Sequence, residues 1–253
     1  MGYAIEIRGL TKKFFASKIF RRKRTTALNN VNLEIRPGEL FVLVGQNGAG
    51  KTTLLKILCG LILPTSGNVY INGEDIFNNN SHFKKEICFV SGEERSFYWR
   101  LTGRQNLEFF GRLQGLSKKE IRHRTDELLA IIGLKEEINK EFRYFSSGAK
   151  QRLALMRALL HNPSIIFMDE PTRSLDPIAQ TKLKELIRNK LVRQDNKTVF
   201  VTTHNLNEAE FLADRIAIIE KGEIRACGTL DELRNKFSSE KLEDIFDMVV
   251  KLV

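Results

Sequence analysis

The stretch Gly45-Gln46-Asn47-Gly48-Ala49-Gly50-Lys51-Thr52-Thr53 constrains this chain more than any other. It fits the pattern GxxxxGK[ST], and its surroundings suit the pattern. An apolar run at residues 40–44 enters it, and residues 52–58 leave it with helical apolar spacing. Gly45, Gly48 and Gly50 allow the backbone to take positive φ and approach phosphate oxygens. Successive N–H groups of Gln46, Asn47, Gly48 and Ala49 then form an anion nest. The N-terminus of the following helix, with Thr52 and Thr53 in its first turn, adds about half a positive charge. Lys51 can reach the β- and γ-phosphates of a nucleotide, and the Thr52 hydroxyl can ligate the Mg²⁺ that accompanies it.

A second apolar run, residues 165–168, ends in Asp169-Glu170-Pro171-Thr172. In parallel α/β sheets ligands sit at the carboxyl ends of strands. There Asp169 can hold Mg²⁺ through a water, and Glu170 can polarise the water that attacks the terminal phosphate. The next run, residues 198–203, ends in His204. A lone histidine at a strand end is commonly structural. One strand after the carboxylate pair, it can instead hydrogen-bond the phosphate and fix the water.

Short runs rich in Val, Ile and Phe at residues 5–7, 31–35, 40–44, 69–71, 87–90, 165–168, 199–202 and 216–219 predict buried strands. The early ones, joined by turns such as Arg36-Pro37-Gly38 and Asn72-Gly73, predict an antiparallel layer. From Leu40 onward strands alternate with helical stretches, as a parallel sheet requires. Between about residues 100 and 160 only helical periods occur: Leu107, Phe110, Leu113 and Leu116, then a stretch opened by the capping pair Ser117 and Glu120 and closed by Gly133. The expected fold is therefore an α/β P-loop NTPase, a parallel-sheet core with an antiparallel β subdomain and an inserted α-helical subdomain.

The 253 residues suffice to bury a core, and 42% apolar with 28% charged residues is globular composition. No apolar run reaches the roughly 18–20 residues of a membrane span, and Glu6 and Arg8 interrupt what a secretory leader would keep apolar. Cys59, Cys88 and Cys227 are too scattered for a disulfide framework or zinc site and read as free thiols. The net charge of +10 is locally concentrated: Lys12, Lys13, Lys18, Arg21, Arg22, Lys23 and Arg24 interleave with Phe14, Phe15, Ile19 and Phe20. That run reads first as an exposed loop or hairpin, then as a membrane-surface or partner contact, and last as a nucleic-acid contact.

These motifs together resemble the nucleotide-binding subunit of ABC transporters, over residues 1–235, with 236–253 as a short C-terminal helical extension. The most diagnostic match is Phe145-Ser146-Ser147-Gly148-Ala149-Lys150-Gln151-Arg152, which resembles the family signature at the start of a helix. The resemblance implies that Ser146, Ser147 and Gly148 bind the γ-phosphate held by a second subunit, so that two chains sandwich two ATP molecules. It makes Asp176, in Ser174-Leu175-Asp176-Pro177, the loop linking the two sites, His204 the switch histidine, and Phe14 the aromatic that stacks on adenine, with Phe15 as a substitute. It implies ATP and Mg²⁺ as cofactors, a second ATPase subunit (an identical copy before a different one) and a polytopic permease. The chain would then be peripheral on the cytoplasmic face of a membrane. Residues 95–107, ending Leu101-Thr102-x-x-x-Asn106-Leu107, resemble ATPases paired with ABC-2-type exporters, in which this surface receives the permease; Phe97, Tyr98 and Trp99 read either as that interface or as rings packing the helical subdomain onto the sheet.

Three departures stand out. Ser147 and Ala149 replace a glycine and a glutamine of the signature. The glutamine expected after Val90 is missing, with Gly92 and Glu93 in its place and Gln105 too distant to substitute. Arg173 and Ser174 replace small residues before Leu175. Two other readings compete: a soluble ABC-type ATPase acting on ribosomes, nucleic acid or an assembly complex, and a non-catalytic member of an asymmetric transporter. The first would commonly carry two ATPase halves or a long coiled coil, neither of which is present, and nucleic acid is not expected as a partner. Glu170 and His204 argue against the second.

Overall fold

The computed structural model describes every residue except 1, 19–20, 79–81, 92–95, 174 and 252–253. Two sheets organise it. β1 (Ile5–Lys18), β2 (Arg21–Ile35), β4 (Ser66–Ile71) and β5 (Glu74–Asp75) form an antiparallel layer in the order β2-β1-β4-β5. β3 (Leu40–Val44), β6 (Ile87–Ser91), β7 (Ile165–Asp169), β8 (Thr198–Thr203), β9 (Arg215–Glu220) and β10 (Glu223–Gly228) form the second, in the order β10-β9-β3-β8-β7-β6. Its pairs are parallel except β10 with β9.

Each of the eight apolar runs lies in one of these strands. The central strands are buried on both faces, which explains their unbroken apolar character. Alternation persists within them: Leu40, Val42 and Val44 face one core cluster, Phe41 and Leu43 the other. The basic run belongs to the β1–β2 hairpin, whose ladder continues to Lys18 opposite Arg21. β10 was not anticipated, because Glu-Ile-Arg-Ala-Cys-Gly carries little β-branched or aromatic signal.

The helices follow their end signals. α1 (Lys51–Leu58) leaves the glycine-rich loop, and α2 (Phe83–Glu86) precedes β6. α3 (Gly103–Leu113), α4 (Lys118–Ile132) and α5 (Ser147–Leu159) lie between β6 and β7. Ser117 and Glu120 form the expected capping box on α4, which Gly133 ends at φ 71°. α6 (Pro177–Glu185) continues into π-helical turns over Leu186–Gln194, and α7 (Leu206–Leu212) follows β8. α8 (Leu230–Phe237) runs across residue 235, and α9 (Leu242–Lys251) buries Leu242, Ile245 and Val249 in the core shared with α3–α5. The C-terminal segment is thus packed into the main body.

Among the described residues, no helix is long and apolar enough to cross a membrane. Cys59 and Cys88 are buried free thiols, and Cys227 is an exposed one. Burial pushes the Cys59 thiol up to about 12, and the nearby Asp169 charge adds to the rise.

Candidate functional site

The sheet order sets β3, β8 and β7 side by side, so the loops at their carboxyl ends converge. There the glycine-rich loop, Asp169 and Glu170 line one cleft of about 370 Å³, with Ala27 of β2 and Arg173 on its walls. Gly48 and Gly50 take positive φ, 85° and 112°. Gly45 does not, and its requirement is space: a Cβ there would stand 2.5 Å from the Ile219 carbonyl oxygen. α1 begins at Gly50 with no side-chain cap, which leaves its first-turn N–H groups for a ligand.

Lys51 is buried, and its Nζ donates to the carbonyl oxygens of Gly45 (2.6 Å) and Gln46 (3.1 Å). Burial lowers its pKa, and the charges of Glu170 and Asp169 partly oppose that. Asp169 accepts hydrogen bonds from the hydroxyls of Thr52 (2.8 Å) and Thr202 (2.6 Å). The Thr52 oxygen, in the first turn of α1, and the Asp169 oxygens, at the end of β7, are hard donors beside the phosphate-binding loop, which suits Mg²⁺ carried by a nucleotide.

Glu170 adopts φ 48°, uncommon for a residue with a Cβ, and its N–H donates to the Thr202 carbonyl at 3.0 Å. His204 Nδ1 lies 3.1 Å from Glu170 Oε1, and Lys51 Nζ lies 3.8 Å from the same oxygen. Lys51, two carboxylates and an imidazole therefore meet beside an uncapped helix N-terminus, an arrangement able to bind a nucleotide's phosphates and orient an attacking water.

The signature residues occupy a different place. Ser146 caps α5, its hydroxyl accepting from the Ala149 N–H at 3.2 Å. Ser146, Gly148 and Asp176 line a second cleft of about 650 Å³; Ser147 does not line it. Asp176 caps α6 through the Ala179 N–H at 3.0 Å. Ala149 is fully buried in the helical core.

Phe14 is not a core aromatic. It is 41% exposed on β1, with Lys12 Nζ 5.0 Å above its ring. It stands outside the phosphate cleft on the hairpin that supplies Ala27. Phe15 is more exposed still and stacks with Arg24. Gln105 is committed elsewhere: its side chain accepts from the Thr102 N–H at 2.9 Å, completing the cap of α3. Gly92, Glu93 and Ser174 lie outside the described residues, as do Ile19 and Phe20.

The aromatic stretch divides. Phe97 is buried against Phe110 and Phe142, whereas Tyr98 and Trp99 are exposed, Trp99 beneath Lys150 Nζ at 4.9 Å. Asn106 is fully buried and donates to the carbonyl oxygens of Tyr98, Leu101 and Thr102, pinning this turn to α3.

Sequence reasoning missed Thr202 and Glu208. The buried Glu208 carboxylate accepts from the hydroxyls of Thr172 (2.8 Å) and Thr203 (2.6 Å), tying together the segments that carry Glu170 and His204. Its place one turn beyond His204 was the available signal.

Known proteins resemble this chain in sequence and in fold. The family model described as ABC transporter matches residues 28–173. The chain is 35% identical to the ABC transporter ATP-binding protein NatA of Bacillus subtilis, covering 89% of this chain and 91% of that one. It is 37% identical to the bacitracin transport ATP-binding protein BcrA of Bacillus licheniformis, covering 93% and 73%. Its fold superposes with a TM-score of 0.77 on a dimeric ATP-binding cassette in a post-hydrolysis state with ADP and phosphate, at 32% identity over 89% of this chain and 98% of that one. On these matches, and with the phosphate loop and the carboxylate pair in one cleft and His204 against Glu170, this chain belongs to the ABC transporter family, as an ATP-binding and ATP-hydrolysing subunit that powers a transporter.

Proposed function

We propose that the chain acts as a homodimer on a polytopic permease, at the cytoplasmic face of the membrane, and drives export. The observation that carries this reading is the separation of the two anion-binding helix ends. Lys51, Thr52, Asp169 and Glu170 line one cleft, Ser146, Gly148 and Asp176 another. A second copy placed head to tail would bring its Ser146–Gly148 turn against the γ-phosphate held by Gly45 to Thr53, completing two sites at once. ATP would thereby close the dimer by binding the closed state better than the open one.

Within each site Thr52 and Asp169 would hold Mg²⁺, which when bound screens the phosphate charge. Lys51 would exchange its two carbonyl contacts for phosphate oxygens. Glu170 would polarise the attacking water, with His204 orienting both carboxylate and γ-phosphate. Phe14, exposed on the hairpin beside the cleft, would stack on adenine. Export is supported by the Leu101-Thr102-x-x-x-Asn106-Leu107 stretch, where Asn106 presents Tyr98 and Trp99 as an aromatic docking face.

Tagged Glu170→Gln chain isolated from its native membranes in mild detergent with ATP tests this. The expected result is an ATP-loaded dimer with a stoichiometric polytopic membrane protein and hydrolysis lowered more than about 100-fold. Hydrolysis at the unsubstituted rate would overturn the role of Glu170. Recovery with soluble partners or ribosomes alone would overturn the permease.

A further inference from the structure

Glu170 has two carboxylate oxygens, and the structure treats them differently. Oε1 faces His204 and Lys51. Oε2 is shielded from solvent and makes no hydrogen bond among the described residues. A buried carboxylate oxygen left in that condition is costly and calls for a compensating charge. That charge comes from Arg173, whose Nη1 lies 3.6 Å from Oε2. The pairing is built into the local chain. The Arg173 N–H donates to the Glu170 carbonyl at 3.2 Å, and the Gln180 side chain holds the turn through the Thr172 and Leu175 carbonyls. Arg173 also lines the phosphate cleft, and its side chain is 57% exposed.

We propose that Arg173 is a positioning residue for ATP hydrolysis, holding the Glu170 carboxylate in its water-polarising orientation through Oε2. The inference rests on the assignment of Glu170 as the water-polarising group. Lys51 and His204 act on one oxygen only, so the carboxylate plane can pivot about it. Lys51 must also turn to the phosphates when nucleotide binds. Arg173, reaching the other oxygen from outside the loop, keeps the plane fixed during that exchange. The contact is one of charge at 3.6 Å, so another cation at this position can supply it.

Steady-state hydrolysis by the full transporter complex tests this. Arg173→Gln is expected to lower kcat about tenfold with the KM for ATP within about twofold, since a misaligned group slows the reaction without weakening binding. Arg173→Lys should regain most of the loss. In a Glu170→Gln background, Arg173→Gln should remove nothing further, because the residue acts through Glu170. An unchanged kcat in Arg173→Gln overturns the proposal. So does a full additional loss in the Glu170→Gln background, which would place Arg173 on the phosphate itself. A raised KM with unchanged kcat overturns it as well, and makes Arg173 a binding residue. If Glu170→Gln alone retains the full rate, the underlying assignment fails with it, and that outcome is separate from the others. Denaturant unfolding of each variant separates a lost rate from a lost fold.

Discussion

α1 and α5 each present an N-terminus to a cleft, and they are finished in opposite ways. α1 follows Gly50, which has no side chain to cap it. α5 follows Ser146, whose hydroxyl already accepts from the Ala149 N–H. The phosphate loop thus leaves its stabilisation undone until a ligand arrives, and Lys51 meanwhile satisfies itself on backbone carbonyls. The signature end is finished in the isolated chain. It lines a cleft lacking Lys51, Asp169 and Glu170. One end is built to bind a nucleotide in its own chain. The other is an ordinary capped helix, to which, in the proposed head-to-tail dimer, another chain would bring phosphate.

The contrast breaks most sharply at Gly50. Its φ of 112° excludes an L side chain, and an added Cβ would stand 2.6 Å from the Ala27 carbonyl oxygen and 2.9 Å from Leu28. Both belong to β2, so the loop cannot yield without moving the antiparallel layer. Gly50→Ala is expected to cost about 3 kcal/mol of stability and to abolish ATP binding. Denaturant unfolding and nucleotide titration would read both. A variant that kept its stability and bound ATP normally would show that the loop is adaptable rather than preformed.

Ser146→Ala is a milder intervention at the other end. It removes the cap hydrogen bond and should cost about 1 kcal/mol. ATP binding by the same chain should stay unchanged, while ATP-driven dimerisation weakens. Loss of binding in the isolated chain would join the two ends that the structure keeps apart.

The two ends also differ in how readily they can be read. The phosphate loop is legible because its chemistry lies in consecutive backbone groups, so one line of sequence contains the whole nest. Asp169 was legible as a strand end, but its hydrogen bond from Thr202 was not. That bond depends on β7 and β8 pairing in the register that sets Asp169 opposite Thr202, a non-local fact. Glu208 was hidden for the same reason, since one of its threonines, Thr172, lies in the loop after β7 and the other, Thr203, ends β8. Gly45 was assigned to positive φ by its motif, whereas its need is room beside β9. Phe97, Tyr98 and Trp99 read alike as aromatics, and only packing separates the buried ring from the two exposed ones. The expectation that the second cleft serves another chain came only through resemblance, because nothing in one chain's sequence distinguishes a capped helix end that would meet a second copy from one that would not.

Gly148→Ala makes the smallest change to the fold and sharpens the comparison most. An added Cβ there would meet only the Ala179 Cβ, at 3.7 Å, which is ordinary contact. Gly148 is also absent from the positive-φ residues, so alanine meets no backbone strain. Stability should shift by less than about 0.5 kcal/mol, and alanine's better helix propensity could even offset the crowding. The isolated chain should bind ATP as before. The methyl would nonetheless occupy the cleft shared with Ser146 and Asp176, where in the proposed dimer a partner's γ-phosphate would approach the backbone. Hydrolysis at low protein concentration should therefore fall with stability and binding intact. Equal falls in all three would mean that Gly148 serves the fold of its own chain and that the second cleft is not a phosphate site.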